Sequence, residues 1–310
     1  MLVNSNMATI NKETSLIPFL FMGCWNEDGE PRESVAKAIT DNPIKTLVLG
    51  GDNIYPEKMK IGNATDFTKV YHLKTLMSGV HMLHGKDIYV TLGNHNVGEP
   101  MLRTQLGIKE WTIPSRYYSV NFNDYSLIVI DSNLITEEDE YNVMREWLLA
   151  QVTSLKESGK KYYYSQHHPF ISFKKKKITV LPKLSEILNI LSQYPPVAIL
   201  CADTHNFQKG TLQIGGVIIP QYIVGTGGAH PDFVNAPIGA THTEESSGIK
   251  YTMESYTPGY GYLQVTSDKT EFIKVEDWRP FEGKGGKRTK THRKRKSLQR
   301  VKKSRKHTRK

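Results

Sequence analysis

A chain of 310 residues with 38% hydrophobic and 23% charged positions carries enough apolar material for a substantial core in one large domain or two. With two cysteines it is no disulfide scaffold, and with no run of the roughly 18 apolar residues that a membrane span requires it is not built on spanning helices. The net charge of +10 is unevenly placed, because residues 284–310 hold 15 of the 41 Lys and Arg and no acid, leaving 26 basic against 31 acidic residues, or −5, in residues 1–283.

The stretch 1–15 is polar and reads as an N-terminal extension. The apolar run Leu16–Met22 behind it is short, lacks a basic leader and runs straight into a turn, so it reads as the first core strand of an intracellular protein and not as a secretory signal. It stops at Gly23-Cys24-Trp25-Asn26. A helix is predicted over Glu33–Ile39, with Pro31 near its first turn. Thr46–Leu49 is the second strand and breaks at Gly50-Gly51, delivering Asp52 and Tyr55. A helix near Thr65–Gly79 leads to the strand Asp87–Leu92, which breaks at Gly93-Asn94-His95. The rhythm so far is strand, helix, strand, helix, strand, with a polar turn after each strand. Glycine at a strand end lets the backbone approach a ligand closely, at the edge where open α/β sheets place their chemistry.

Beyond Pro114, Arg116–Asn121 and Tyr125–Asp131 are strands joined by the hairpin signal Asn123-Asp124. An amphipathic helix over Glu138–Glu157 precedes the strand Lys161–Gln166, which ends at His167-His168-Pro169. A helix near Lys183–Gln193 precedes Val197–Cys201 and the turn Ala202-Asp203-Thr204-His205. Leu212–Ile214, Val217–Val224, Gly261–Thr266 and Glu271–Glu276 read as antiparallel strands, giving two sheets face to face with helices outside and a domain that ends near Arg279. The lysine run Lys174–Lys177 reads as a solvated loop whose place beside the His167 turn favours an anionic substrate.

Five strand ends thus carry polar turns: Cys24 with Asn26, Asp52 with Tyr55, Asn94 with His95, His167 with His168, and Asp203 with His205. In this order G-D-x-x-Y, G-N-H, H-x-P and a terminal x-x-x-H resemble the calcineurin-like metallophosphoesterases. The tyrosine of G-D-N-I-Y, and G-C-W-N where G-D-W-G is usual, point to their purple acid phosphatase branch. Matching context includes Arg116-Tyr117-Tyr118-Ser119, His205-Asn206-Phe207-Gln208 and Gly225-Thr226-Gly227-Gly228, so that the resemblance runs from about Phe19 to Glu276. It implies an α/β, four-layer αββα sandwich of two mixed β-sheets flanked by helices over 16–280, and metal-dependent hydrolysis of phosphate esters, phosphomonoesters before diesters.

By resemblance, Asp52 bridges two divalent or trivalent ions, drawn from iron, zinc and manganese, with Tyr55 and His205 on the first and Asn94 and His167 on the second. His95 faces the substrate and protonates the leaving oxygen, and His168 either assists at the mouth or serves in stacking or capping. Two positions depart from the family. Cys24 stands where an aspartate ligand is usual, and Asp203 stands for the first histidine of G-H-x-H; both can still hold metal. Alternatively Cys24 is a buried small hydrophobe, with Asn26 or Asp28 supplying an oxygen, or it pairs with Cys201. Two altered ligands leave reduced activity in prospect, and an alternative function as a catalytically impaired binding module.

Residues 281–310 form a basic tail in which, from residue 284 on, Leu298 and Val301 are the only aliphatic residues and there is no aromatic one, so it is expected to be disordered. It should contact polyanions, nucleic acid among them, through phosphates and not by base stacking. Nuclear localisation, nucleic-acid association and an acidic membrane surface fit it alike, and it resembles the basic G-G-K-R tails of large DNA viruses. The oligomeric state is not legible from the sequence.

Overall fold

A computed structural model describes residues 8–55, 70–96, 99–175 and 177–276. The first half contains β1 (Ala8–Asn11), β2 (Phe19–Met22), α1 (Glu30–Asp41), β3 (Thr46–Leu49), α2 (Val70–Met82), β4 (Asp87–Val90), α3 (Glu99–Leu106) and β5 (Trp111–Thr112). Next come β6 (Tyr118–Asn121), β7 (Ser126–Val129), α4 (Glu138–Ser158), β8 (Tyr162–Ser165), β9 (Ile171–Lys174), β10 (Lys177–Val180), α5 (Leu184–Leu191) and β11 (Ile199–Cys201). The last part is all strand: β12 (Phe207–Ile214), β13 (Val217–Val224), β14 (Thr241–Glu244), β15 (Ile249–Thr257), β16 (Tyr260–Val265) and β17 (Thr270–Glu276).

These strands form a six-stranded sheet in the order β17-β16-β2-β3-β4-β5, a nine-stranded sheet in the order β1-β6-β7-β8-β11-β13-β12-β15-β14, and the hairpin β9-β10. In the smaller sheet β2, β3 and β4 run parallel; in the larger one β7, β8, β11 and β13 do. Side-chain alternation explains why the central strands read as unbroken apolar runs. Leu127, Val129, Tyr163 and Leu200 turn inward to the smaller sheet, while Ile128, Tyr162, Tyr164, Ile199 and Cys201 turn outward to α4 and α5. Both faces are covered, so both sets are apolar. Polar links across the sheet-to-sheet core are few and paired, as where Tyr118 Oη donates to the Val90 carbonyl at 3.0 Å and Thr91 Oγ1 meets Ser165 Oγ at 2.8 Å.

α4 shows how the helices are held. Glu138, Asp139 and Glu140 occupy its first turn, where the helix dipole favours anions, and Gly159 at φ 69° closes its C-terminus with its N–H on Leu155 and Lys156. Its face Tyr141, Met144, Trp147, Leu148, Val152 and Leu155 is buried. Layered as helix, sheet, sheet, helix, the molecule has the four-layer αββα architecture expected.

Several details differ from the sequence reading. β2 begins only after Pro18, and α2 ends at Met82, three residues beyond Gly79; the start expected at Thr65 lies outside the described residues. α3, β5, β14 and β15 are additional. The polar stretch before residue 16 supplies β1, which pairs in parallel with β6 at the edge of the larger sheet. The run Lys174–Lys177 is not a plain loop, because β9 and β10 pair antiparallel on either side of it. Residues 277–310, with the basic tail, lie outside the described residues.

Candidate metal centre

The parallel strands bring the predicted turns to one edge. β2, β3 and β4 end before Cys24, Asp52 and Asn94, and β8 and β11 end before His167 and Asp203 with His205. Main-chain bonds tie these ends together: Cys24 N–H to Gly51 O at 2.9 Å, Gly23 N–H to Val224 O at 2.9 Å, and Ala202 N–H to His167 O at 2.9 Å. Among the described non-glycine residues, positive φ occurs at Cys24 (52°), Asp52 (53°), Asp203 (57°) and Lys175 (53°), and the first three are positions expected from the sequence to hold metal. Asp adopts this conformation readily; for Cys24 it is strain of the kind that persists where surrounding structure demands it. Two glycines make room. A Cβ on Gly93 would lie 2.1 Å from the Asp52 amide nitrogen, and one on Gly51, at φ 95°, would lie 2.5 Å from His167 Nδ1.

Asp52, almost fully buried, faces two groups of donors. Its Oδ2 lies 4.0 Å from Cys24 Sγ, and ligand atoms of Cys24, Asp52 and His205 all fall within 4.8 Å of one another. Tyr55 Oη joins this group, 3.3 Å from His205 Nε2. Asp52 Oδ1 lies 3.4 Å from His167 Nε2, which is also 3.0 Å from Asn94 Oδ1 and 4.0 Å from Asp203 Oδ1. Both histidines are oriented from behind: His167 Nδ1 bonds Gly50 O at 2.7 Å and His205 Nδ1 bonds His230 O at 2.8 Å, leaving each Nε2 to face the centre. His95 donates its main-chain N–H to Asp52 Oδ1 at 3.1 Å and lays its ring 4.8 Å from that of Tyr55.

The donor chemistry fits two cations that share Asp52. One group offers sulfur, phenol oxygen and imidazole; the other offers two carboxylate oxygens, an amide oxygen and imidazole, all without large rearrangement. Electrostatics point the same way. Burial raises the Asp52 carboxyl, but His167 and His95 outweigh it and hold the group well below the usual carboxylate range. Burial opposes charge on His167, yet Asp52 beside it raises the imidazole to about 9. Burial pushes up the Cys24 thiol, with Asp52 adding to it, and burial pushes up the Tyr55 phenol, with Cys24 and Asp52 adding. A proton on His167 thus occupies the place of a cation. Metal uptake near neutral pH should therefore release protons, and affinity should climb with pH toward about 9, where His167 sheds its proton unaided. Calorimetric titration in buffers of different ionisation enthalpy measures this; uptake without proton release removes His167 and Cys24 from the ligand set.

The alternatives to Cys24 are otherwise engaged. Asn26 Oδ1 accepts from Arg32 Nη1 at 3.1 Å, its amide reaches Leu76 O, and Asp28 pairs with Arg32 Nη2 at 2.8 Å. Cys24 and Cys201 are both free, since alternation along β11 turns Cys201 to the helix side while Cys24 packs with Tyr55, Ala202 and Ala229. His168 bonds Ser132 Oγ through Nδ1 at 2.8 Å, and burial, with the charge of His167, lowers it to about 4. The sequence reading missed Asp232, which accepts the His205 N–H at 3.4 Å and pairs with Lys174 at 3.0 Å and Lys175 at 3.6 Å. No local signal marks it, because its partners are distant along the chain.

No protein-family model matches this sequence, and no curated protein matches it. Among solved structures, the chain is similar to the purple acid phosphatase PPD1 of yellow lupin (Lupinus luteus) seeds, with a TM-score of 0.63 and 12% identity over 85% of this chain and 52% of that one. A dimetal phosphatase from Danio rerio matches at TM-score 0.51 and 12% identity, covering 84% of this chain and 99% of that one. The anchor in the inner membrane complex of Plasmodium matches at TM-score 0.50 and 13% identity, covering 84% and 89%. The chain has the calcineurin-like metallophosphoesterase fold. It spans about half the length of the lupin enzyme.

Proposed function

We propose that the chain hydrolyses phosphate monoesters at a pair of metal ions that share Asp52. The observation that carries this reading is the Asp52 carboxylate itself, with Cys24 facing one oxygen beside His205 and Tyr55, and His167 facing the other and carrying Asn94 and Asp203 about its Nε2. Such a pair, when bound, neutralises phosphate charge and supplies a nucleophilic hydroxide at neutral pH. The protein's share is to hold the ligands at strained, interlocked strand ends and to fix the imidazole tautomers from behind. His95, partly exposed beside Asp52, serves as the proton donor to the leaving oxygen.

The test measures the metal content of the purified protein and its hydrolysis of an aryl phosphate before and after chelation and reloading. Metal bound at one or two ions per chain, with turnover that follows it, is expected; less than one ion per chain and rates equal to buffer sink the reading.

Asp203 supports a finer proposal. Three oxygens surround His167 Nε2, so this group suits manganese or another hard ion, whereas the Cys24 group suits zinc or iron. Asp203→His should shift the second group toward zinc by about tenfold to a hundredfold in a competitive metal titration. An unchanged preference removes Asp203 from the ligands.

A second reading is favoured by the two altered ligands together with the similarity to the Plasmodium protein, which is an anchor in the inner membrane complex. In it the fold binds a partner and turns nothing over. It predicts folded, metal-poor protein with no hydrolysis, which the same measurements distinguish.

A further inference from the structure

The turn after β8 brings a further imidazole, His168, to the Asp52 edge. β4 and β8 belong to opposite sheets and meet where Thr91 Oγ1 lies 2.8 Å from Ser165 Oγ; just beyond, Asn94 Oδ1 lies 3.0 Å from His167 Nε2. His95 and His168 follow these two residues, so the rings reach the edge from opposite sheets. The half-buried His168 ring stands 5.1 Å from that of His167, at 78° to it, and Asp203 and Asp52 both act on it electrostatically.

Polar neighbours fix the residue in place. Ser132 Oγ accepts the His168 main-chain N–H at 3.2 Å, Gln166 Nε2 donates to the His168 carbonyl at 2.6 Å, and Tyr164 Oη donates to Gln166 Oε1 at 2.7 Å. Counting hydrogens then sets the tautomer. Ser132 Oγ is fully buried and also bonds His168 Nδ1 at 2.8 Å, and among the described residues nothing else can take its proton. A hydroxyl has one hydrogen, and burying it without an acceptor is costly, so it goes to Nδ1. Nδ1 accepts, and the imidazole carries its own hydrogen on Nε2. Among the described residues Nε2 meets no acceptor. It points away from Ser132 and β7, and on the other flank of β8 lies β11, whose end carries Asp203 and His205.

We infer that His168 donates from Nε2–H to a non-bridging oxygen of the bound phosphate group, and that Ser132 is the positioning residue that keeps the hydrogen there. The identity of the anion rests on the phosphomonoesterase reading; the tautomer does not. The two histidines divide the work by chemistry. A leaving oxygen needs a proton, which His95 gives up, whereas a non-bridging oxygen needs a donor that keeps its own. A donor already aimed by Ser132 orients the phosphate without reorganisation of the site.

The experiment joins nitrogen NMR of the imidazoles in the full-length chain to phosphate titration and kinetics. In the wild type, His168 should show a protonated Nε2 and a bare Nδ1, and Ser132→Ala should lose that preference. In zinc-loaded protein, inorganic phosphate should shift the His168 Nε2–H signal. His168→Leu should weaken inorganic phosphate, and raise KM for an aryl phosphate, by about tenfold, with kcat changed far less and metal content unaltered. The conservative variants separate donation from capping. His168→Gln places an amide donor near the position of Nε2 and should recover most of the loss, whereas His168→Asn keeps only an acceptor toward Ser132 and should not. A ring protonated on Nδ1, phosphate affinity unchanged in His168→Leu, rescue by Asn in place of Gln, or loaded wild type that binds no phosphate overturns the inference. Phosphate binding that depends on His168 without ester turnover upholds the donor and sinks the phosphomonoesterase reading instead.

Discussion

Asp52→Asn is expected to strip the protein of at least one metal ion per chain and to lower kcat/KM on an aryl phosphate by on the order of 10³ or more, the equivalent of several kcal/mol of electrostatic stabilisation. The substitution keeps the shape and removes the charge. One carboxylate oxygen now faces His167 and the other faces Cys24. An amide offers a single acceptor and a pair of donors, so one side of the centre would meet an N–H in place of an anion. His95 N–H, which bonds Asp52 Oδ1, would lose its charge-assisted partner if the amide turned. His167 reports the same event independently of activity. Its raised value of about 9 is due to Asp52 against the opposing effect of burial, so in the variant its imidazole should titrate lower, which NMR of the metal-free protein reads. The fold should survive, since His167 can shed its proton once Asp52 no longer carries charge and is then not left as an unpaired buried cation. A variant that retains its full metal content and turns over like the wild type removes Asp52 from the centre.

The legible part of the molecule is the part in which a strand is buried on both faces and stops at glycine. Thr46–Leu49 falls on β3 residue for residue, because an apolar run covered on both faces is satisfied inside a sheet, and Val217–Val224 falls on β13, whose β-branched residues lie between glycine turns although Ile218 is exposed. The turns that follow such strands held the residues that now converge on Asp52. β1 and β15 were less legible. β1 is a short edge strand with a half-exposed pattern, and β15 shows its alternation of Ile249, Tyr251 and Met253 between turns rich in glycine and serine. What sequence reasoning could not resolve was competition for partners. Asn26 and Asp28 are oxygen donors near Cys24 in sequence, but the buried Arg32 takes both. Lys174 and Lys175 look solvated until Asp232 is folded against them. Such pairings are set by topology, and local composition carries no trace of them.

The arrangement also separates two kinds of constraint on the same centre. Three of the proposed ligands, Cys24, Asp52 and Asp203, sit at positive φ on strand ends joined through main-chain bonds, so these positions tolerate little change in backbone. The side-chain identities are less constrained. On the proposed reading, a thiol at residue 24 and a carboxylate at 203 would place a soft donor in one group and a hard one in the other.

His95→Asn should lower kcat by about 10²–10⁴ while leaving the metal content intact. Two properties of His95 make this a clean measurement. The bond that helps hold Asp52 comes from the His95 main-chain N–H, which the substitution keeps, so the variant reports on the ring alone. The ring is also more accessible than the ligands around it, with 30% of the side chain exposed against 2% for Asp52 and none for His167, which places it where a substrate's leaving oxygen can reach. Protonation matters most when the departing group is a strong base. An alkyl phosphate, whose alkoxide cannot leave unaided, should therefore lose more than a nitrophenyl phosphate, whose phenolate leaves readily. Packing against Tyr55 gives the rival explanation, since removing a ring 4.8 Å away could displace the phenol that faces His205. That rival predicts equal losses on both substrates together with lost metal. Unequal losses with metal retained assign proton donation to His95, and equal losses with metal retained refute it.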